Sequence, residues 1–163
     1  MGLSGRKWDE LGSSGMEYLS TLDDKGRISL PARIRGNMVE NTLILTKGVN
    51  HSIWVFLPHE WENFSQKLID SVSLSLTKQL VIQHQFIAPK AEIEIDKAGR
   101  LAIPQSLRDF AGLYRDCKIL EVVNRLEIWD SAQYDAYLKA NEEKLQEVLE
   151  EMGPVTFFSG SII

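Results

Sequence analysis

A single cysteine, Cys117, occurs among 163 residues, so neither a disulfide framework nor a cysteine-built metal cluster is available. Its neighbours Asp116 and Lys118 put it where a strand begins, and it reads as a plain structural residue. The three histidines, His51, His59 and His84, share no ligand spacing with one another or with Cys117, so no metal centre is expected. Glycine-rich phosphate cradles are missing as well: the chain has neither a P-loop nor a dinucleotide fingerprint. Residues 4–7 and 75–78 fit a Ser-x-x-Lys pattern, but the signatures that accompany it in acyl transferases are absent. No cofactor, no small-molecule substrate and no enzymatic activity are therefore expected. No apolar run approaches the roughly 18 residues of a membrane span, and no apolar segment follows a basic patch at the N-terminus. The expectation is a cytoplasmic protein without a membrane partner.

Positive charge is also in short supply, with 18 Lys and Arg against 23 Asp and Glu and a formal net charge of -5. The total argues against nucleic acid, but the distribution reverses that reading. Between residues 131 and 152, Asp135, Glu142, Glu143, Glu147, Glu150 and Glu151 face only Lys139 and Lys144. One acidic C-terminal helix is expected to hold most of the excess.

What the chain does have is the same segment twice. Residues 22–35 return as residues 95–108 without a gap, so that a shift of 73 positions pairs Asp23 with Asp96, Gly26 with Gly99, Arg27 with Arg100, Pro31 with Pro104 and Arg35 with Arg108. Such self-similarity marks two copies of one structural unit. Each copy is locally cationic: Lys25, Arg27, Arg33 and Arg35 outnumber Asp23 and Asp24, and Lys97, Arg100 and Arg108 outnumber Asp96. Arg33 has no basic counterpart, since Ser106 stands at the matching position, so the two units need not act equally.

Each unit is predicted to open with a hairpin: a strand over 17–22, a tight turn at 24–26 and a short strand over 27–30 in the first. Alternation points Ile28, Leu30, Leu101 and Ile103 inward and Arg27, Ser29, Arg100 and Ala102 outward. Pro31 and Pro104 end the strands and suit a first helical position, with short helices stopping near Gly36 and Gly112. A second hairpin follows in each unit, from strands at 43–46 and 53–56 and at 118–121 and 126–129. A helix comes next, carrying Trp61, Phe64 and Leu68 in the first copy and Tyr134, Tyr137 or Leu138, Leu145, Val148 and Leu149 in the second, and these stripes are expected in the core. Leu76, Leu80, His84 and Ile87 share a helical face between the units. Residues 71–75 fit strand or loop.

Two copies of Asp-x-x-x-Arg followed by proline, with the 127–129 strand end and the 57–61 helix start, resemble the MraZ family over about residues 16–152. One copy would indicate only the wider AbrB-like group of swapped-hairpin DNA binders. The resemblance implies an α+β, mainly β fold in which two tandem AbrB-like hairpin units form a double-split barrel-like domain with flanking helices. It implies a first repeat at 16–88 and a second at 89–152 that includes the acidic helix; the ends depart from the family pattern and are read as an N-terminal extension at 1–15 and a tail at 153–163. It also implies a bacterial transcription regulator, associated with the nucleoid, that binds repeated boxes in double-stranded DNA upstream of the division and cell-wall operon, usually its own. Subunits are expected in a closed ring homo-oligomer, octamer-like. The tail carries Phe157, Phe158, Ile162 and Ile163 and is either disordered or docked on a neighbouring subunit.

The chemistry of the turns agrees. A two-stranded ribbon fits the major groove, where Arg can donate two parallel hydrogen bonds to guanine, worth roughly 1–3 kcal/mol of discrimination. Arg27 and Arg100 are the candidate readers. Lys25 and Lys97 sit on the turns and suit phosphate, adding affinity and salt dependence rather than sequence choice. Asp23 and Asp96, four residues before each Arg, are expected to orient the guanidinium. The plainer reading of each Asp and Arg is an exposed ion pair worth about 0–1 kcal/mol. Arg35 and Arg108, in the helices behind, are expected to cover apolar surface or pair with an acid. The rival for the whole chain is an oligomeric, antitoxin-like scaffold whose acidic helix and apolar tail recruit a protein partner.

Overall fold

In the computed structural model, which describes residues 16–158, period-2 segments become eight strands and period-3.6 segments become helices. In chain order they are β1 (Met16–Thr21), β2 (Arg27–Ser29), α1 (Ala32–Arg35), β3 (Thr42–Lys47), β4 (Ile53–Phe56), α2 (Pro58–Ser71), α3 (Leu76–Ile82), a π-helical turn (Gln83–Ile87), β5 (Ala91–Glu94), β6 (Arg100–Ala102), α4 (Gln105–Ala111), β7 (Asp116–Val122), β8 (Arg125–Asp130), α5 (Ser131–Ala140) and α6 (Glu142–Phe158). The expected extension at 1–15 and the end of the expected tail, 159–163, lie outside the described residues. Among the described residues no helix is long and apolar enough to cross a membrane.

The fold is mixed α and β, built on an antiparallel sheet of six strands in the order β1-β7-β8-β4-β3-β5, with β2 and β6 forming a separate two-stranded ribbon. The larger sheet does not close on itself; β1 and β5 are its edges. The second hairpins form as expected, β3 with β4 and β7 with β8. The first hairpins do not. β1 pairs with β7, setting Tyr18 opposite Ile119, while β2 pairs with β6, setting Ile28 opposite Leu101. Each turn is still closed locally, by the Asp23 N–H donating to the Arg27 carbonyl at 2.9 Å and the Asp96 N–H to that of Arg100 at 3.1 Å. One residue before Asp23, however, the Leu22 N–H turns away to the Arg115 carbonyl at 2.7 Å. The strands splay, and each finds its ladder in the other repeat.

The swap is explained by burial. A two-stranded hairpin with one apolar face is marginal alone, whereas exchange lets both repeats fill one core. Ile28, Leu30, Ile34, Leu43, Leu45 and Val55 of the first repeat pack there with Leu101, Ile103, Leu107, Ile119, Leu126 and Ile128 of the second. Cys117 lies in the same core, as a buried free thiol. A second cluster of Ile44, Trp54, Phe56 and Trp61, joined by Phe64 and Phe86, holds α2 and the π-helical turn near β3 and β4. The aromatic stripe of the first repeat is core, as expected.

Its counterpart is not. Leu138, Leu145 and Val148 are 48%, 58% and 39% exposed, and α5 buries no residue. The segment from Ala132 onward forms a compact unit of its own, distinct from the one that ends at Ser131. Nor is it one helix: Asn141 interrupts it, its side-chain amide donating to the Tyr137 carbonyl at 2.8 Å, the local competition that makes Asn a poor helix interior residue. Gly153, at φ 73° and ψ 173°, breaks α6 near its end. Leu76 and Leu80 of α3 are likewise exposed. Ser71 ends α2, residues 72–74 are a turn rather than a strand, and Ser75 caps α3 by accepting the Lys78 N–H at 3.3 Å.

Pro31 and Pro104 stand one residue earlier than expected. Both keep extended ψ values, 143° and 144°, as N-caps. Their carbonyls accept the N–H groups of Arg35 and Arg108 at 3.1 and 3.0 Å, which fixes where those two arginines leave their helices.

Candidate nucleic-acid interface

The two Asp-to-Arg turns are built alike from the backbone up. In each, the glycine N–H donates to the aspartate carbonyl, Gly26 to Asp23 at 3.1 Å and Gly99 to Asp96 at 3.0 Å. The chain can fold so tightly because Gly26 and Gly99 adopt φ of 77° and 79°, a region closed to most side chains. The Asp23 carboxylate then does three things. Its Oδ1 accepts the Lys25 and Arg27 N–H groups, both at 2.9 Å, and its Oδ2 accepts Nε–H of the Arg27 side chain at 2.8 Å. Asp96 repeats the pattern with the Ala98 and Arg100 N–H groups at 2.9 Å and Arg100 Nε at 2.8 Å.

These bonds favour the charged carboxylate. Asp23 is held below the ordinary value of 3.8, first by the Arg27 N–H and then by the Arg27 guanidinium and the Lys25 N–H, with burial opposing. Asp96 is lowered by the same kinds of contact, the Arg100 N–H leading. Each Arg is tied through Nε, so the pair does not use the fork of two terminal nitrogens, the part of a guanidinium that recognises a planar acceptor pair bidentately.

Register places the forks. In the ribbon Arg27 lies opposite Ala102 and Ser29 opposite Arg100, so both arginines are on the face away from buried Ile28 and Leu101. The lysines are less alike. Both are exposed, but Lys25 is two residues after its Asp and immediately before Gly26, while Lys97 directly follows Asp96. Asp24 takes the place in the first turn that Lys97 takes in the second.

The turns also lock into one another, a feature the offset of 73 did not disclose. The Ile103 N–H donates to the Gly26 carbonyl at 2.9 Å and the Leu30 N–H to the Gly99 carbonyl at 3.0 Å. Behind each glycine is the helix arginine of the opposite repeat: a Cβ on Gly26 would come within 2.5 Å of Arg108 Cζ, and one on Gly99 within 2.6 Å of Arg35 Cδ. Both side chains thus have the structural place expected of them, and it is against the glycine of the opposite turn.

The chain matches a family model described as "MraZ protein, putative antitoxin-like" twice, over residues 15–82 and 86–153. The chain belongs to the MraZ family. Its relatives include a protein named transcriptional regulator MraZ from Treponema denticola, 43% identical over 141 residues, covering 86% of this chain and 98% of the relative. The protein of that name from Treponema pallidum is 42% identical over 125 residues, covering 77% and 84%. That from Halothermothrix orenii is 33% identical over 140 residues, covering 84% and 96%. The two family matches divide the chain between α3 and β5, although the strands of the two MraZ repeats pair across that division.

Proposed function

We propose that this member of the MraZ family is a sequence-specific DNA-binding transcriptional regulator that uses its two turns as paired readers. The observation that carries the reading is the pair of arginines fixed through Nε by Asp23 and Asp96, with forks left for an acceptor pair, on one face of a two-stranded ribbon. Arg27 and Arg100 read guanine edges in the major groove; Lys25 and Lys97 meet phosphate; Asp23 and Asp96 orient the readers. The relatives named as transcriptional regulators support the same reading. By resemblance, the target is a set of repeated boxes upstream of the division and cell-wall operon, with the protein acting on its own promoter in the cytoplasm and nucleoid.

An acidic subunit binds DNA best when several copies act together, because contacts linked in one assembly add through effective concentration. A closed ring supplies that arrangement. Support for assembly comes from apolar side chains left at the surface: Leu74, Leu76, Leu80 and Val81 in a stretch without acids, and Leu138, Leu145 and Val148 among the acids of α5 and α6. The second reading, an antitoxin-like scaffold, draws on the exposed side chains of α5 and α6 and on the family description.

Fluorescence anisotropy on the native upstream duplex and a scrambled one, near physiological salt, tests the proposal. The wild type should prefer the native duplex, and Arg27→Ala/Arg100→Ala should lose that preference while keeping its size by light scattering. Weak, equal binding to both duplexes that the substitutions leave unchanged would remove the DNA reading and favour the scaffold.

A further inference from the structure

We infer that Arg35 and Arg108 are positioning residues that act across the repeats: Arg108 holds the turn that carries Arg27, and Arg35 holds the turn that carries Arg100. The inference rests on the reading of the turns as DNA readers and adds the device that sets them against each other.

Local bonds fix the inside of each turn but not its position in the molecule. The Asp carboxylates and the glycine N–H groups reach only residues within the same five. Position must come from outside, and a recognition group works only if held to within about 0.5 Å. The outside contacts all come from the opposite copy. Gly26 has its carbonyl bonded by the Ile103 N–H and its Cα face against the Arg108 guanidinium; Gly99 has its carbonyl bonded by the Leu30 N–H and its Cα face against Arg35. Glycine is needed twice over, for its φ and because a planar guanidinium occupies the place of the side chain.

Both arginines are fixed at the backbone, and Arg35 at its side chain as well. The Pro31 and Pro104 carbonyls take their backbone N–H groups. Arg35 Nε also donates to the Leu30 carbonyl at 3.0 Å, and Leu30 is the residue whose N–H holds Gly99. One side chain thus ties a strand end and the facing turn into a single bonded chain. The match is incomplete in the other copy, where Arg108 Nε is sealed from solvent without a hydrogen-bond partner. The two braces are therefore unequal, with Arg35 the more firmly anchored.

A brace predicts a crossed pattern of coupling that neither direct DNA contact nor a general role in folding produces. Affinity for the native duplex is measured for the full chain carrying Arg108→Ala or Arg35→Ala, each alone and combined with Arg27→Ala or Arg100→Ala. Arg108→Ala should weaken discrimination by about as much as Arg27→Ala, on the order of tenfold. It should add little to Arg27→Ala yet combine additively with Arg100→Ala. Arg35→Ala should mirror this, coupling to Arg100 and not to Arg27. Lys at either position keeps the charge and the fold but not the flat group, and should retain the salt dependence while losing the coupling. Additive effects throughout, or coupling within one repeat, would overturn the inference.

Amide hydrogen exchange on the free protein separates this inference from the reading it rests on. Arg108→Ala, or Arg108→Lys if the alanine variant unfolds, should speed exchange at the Arg27 N–H and spare that of Arg100, with the reverse for Arg35. Equal effects on both turns would overturn the brace. If Arg27→Ala/Arg100→Ala left DNA binding intact, the DNA reading would fall, while a crossed exchange pattern would still establish the brace.

Discussion

Asp23 and Asp96 each spend one carboxylate on two backbone donors and one guanidinium, so the same atoms shape the turn and aim the arginine. Because the native value of each lies below the ordinary 3.8, the sign of the pH effect is fixed. The turn's contribution is complete above 3.8 and is lost only as pH falls through the lower native value. Carbon-detected NMR titration should therefore give both carboxyls midpoints under 3.8, and in Asp23→Asn the Asp96 midpoint should stay where it was; midpoints at or above 3.8 would mean that the bonds to Arg27 and Arg100 do not persist in solution. The glycines make a second prediction. Gly26→Ala forces a side chain into the left-handed region and onto Arg108 Cζ, so urea unfolding should show a loss of about 1–2 kcal/mol from the backbone conformation alone. Gly36 is in the right-handed helical region at φ -65°, and Gly36→Ala should cost much less. Equal costs at the two positions would refute the assignment of strain to the turn.

The ribbon of β2 and β6 is only three residues wide on each side, yet it is where the repeats meet. Ile28 and Leu101 face each other across it, 1% and 0% exposed. Leu101→Ala should cost about 2–5 kcal/mol, the usual range for a buried leucine. It should disturb Arg27 as much as Arg100, visible as shifts of both side-chain Nε–H signals; a change confined to Arg100 would show that the ribbon does not couple the turns. At this scale the sequence was a good guide to elements and a poor one to partners. Alternation along residues 27–30 and 100–103 identified strands and their buried faces, and the four-residue spacing of Asp and Arg anticipated the ion pair. Neither could say that β2 would leave β1 for β6, because period and turn chemistry are local, whereas the choice of partner depends on how much apolar area each pairing buries. What Arg35 and Arg108 pack against was not legible for the same reason: Gly99 lies 64 residues from Arg35, and Gly26 lies 82 residues from Arg108. The acidic segment shows a different failure. Its apolar spacing continued through Asn141, but the competing bond from that side chain divided it, and a stripe that would line a core in α2 is left exposed in α5 and α6.

At the scale of the whole molecule, interlocking makes the two repeats through Ser131 one folding unit, since β1 has its ladder on β7, β2 on β6 and β5 on β3. A chain of residues 16–88 would lack partners for β1 and β2 and would open half the core to water. Such a half should show no cooperative unfolding by circular dichroism, and neither should residues 89–158. Mixed at equal concentration, the halves should restore a cooperative transition, because every missing ladder is supplied by the other piece; a half that melts cooperatively by itself would disprove the interlock. Cys117 offers an independent reading within the intact chain. It sits in the shared core with its thiol pushed up to about 11 by burial, with Asp130 and Asp116 adding, so at pH 8 it is protonated and shielded, and a thiol reagent should meet it only when the core opens. In rising urea, labelling of Cys117 should follow the same midpoint as the loss of circular dichroism, the coincidence expected of a single cooperative unit. Labelling that ran ahead of that transition would show the β7 side opening separately from the ribbon, and the two turns could not then be held in one fixed relation.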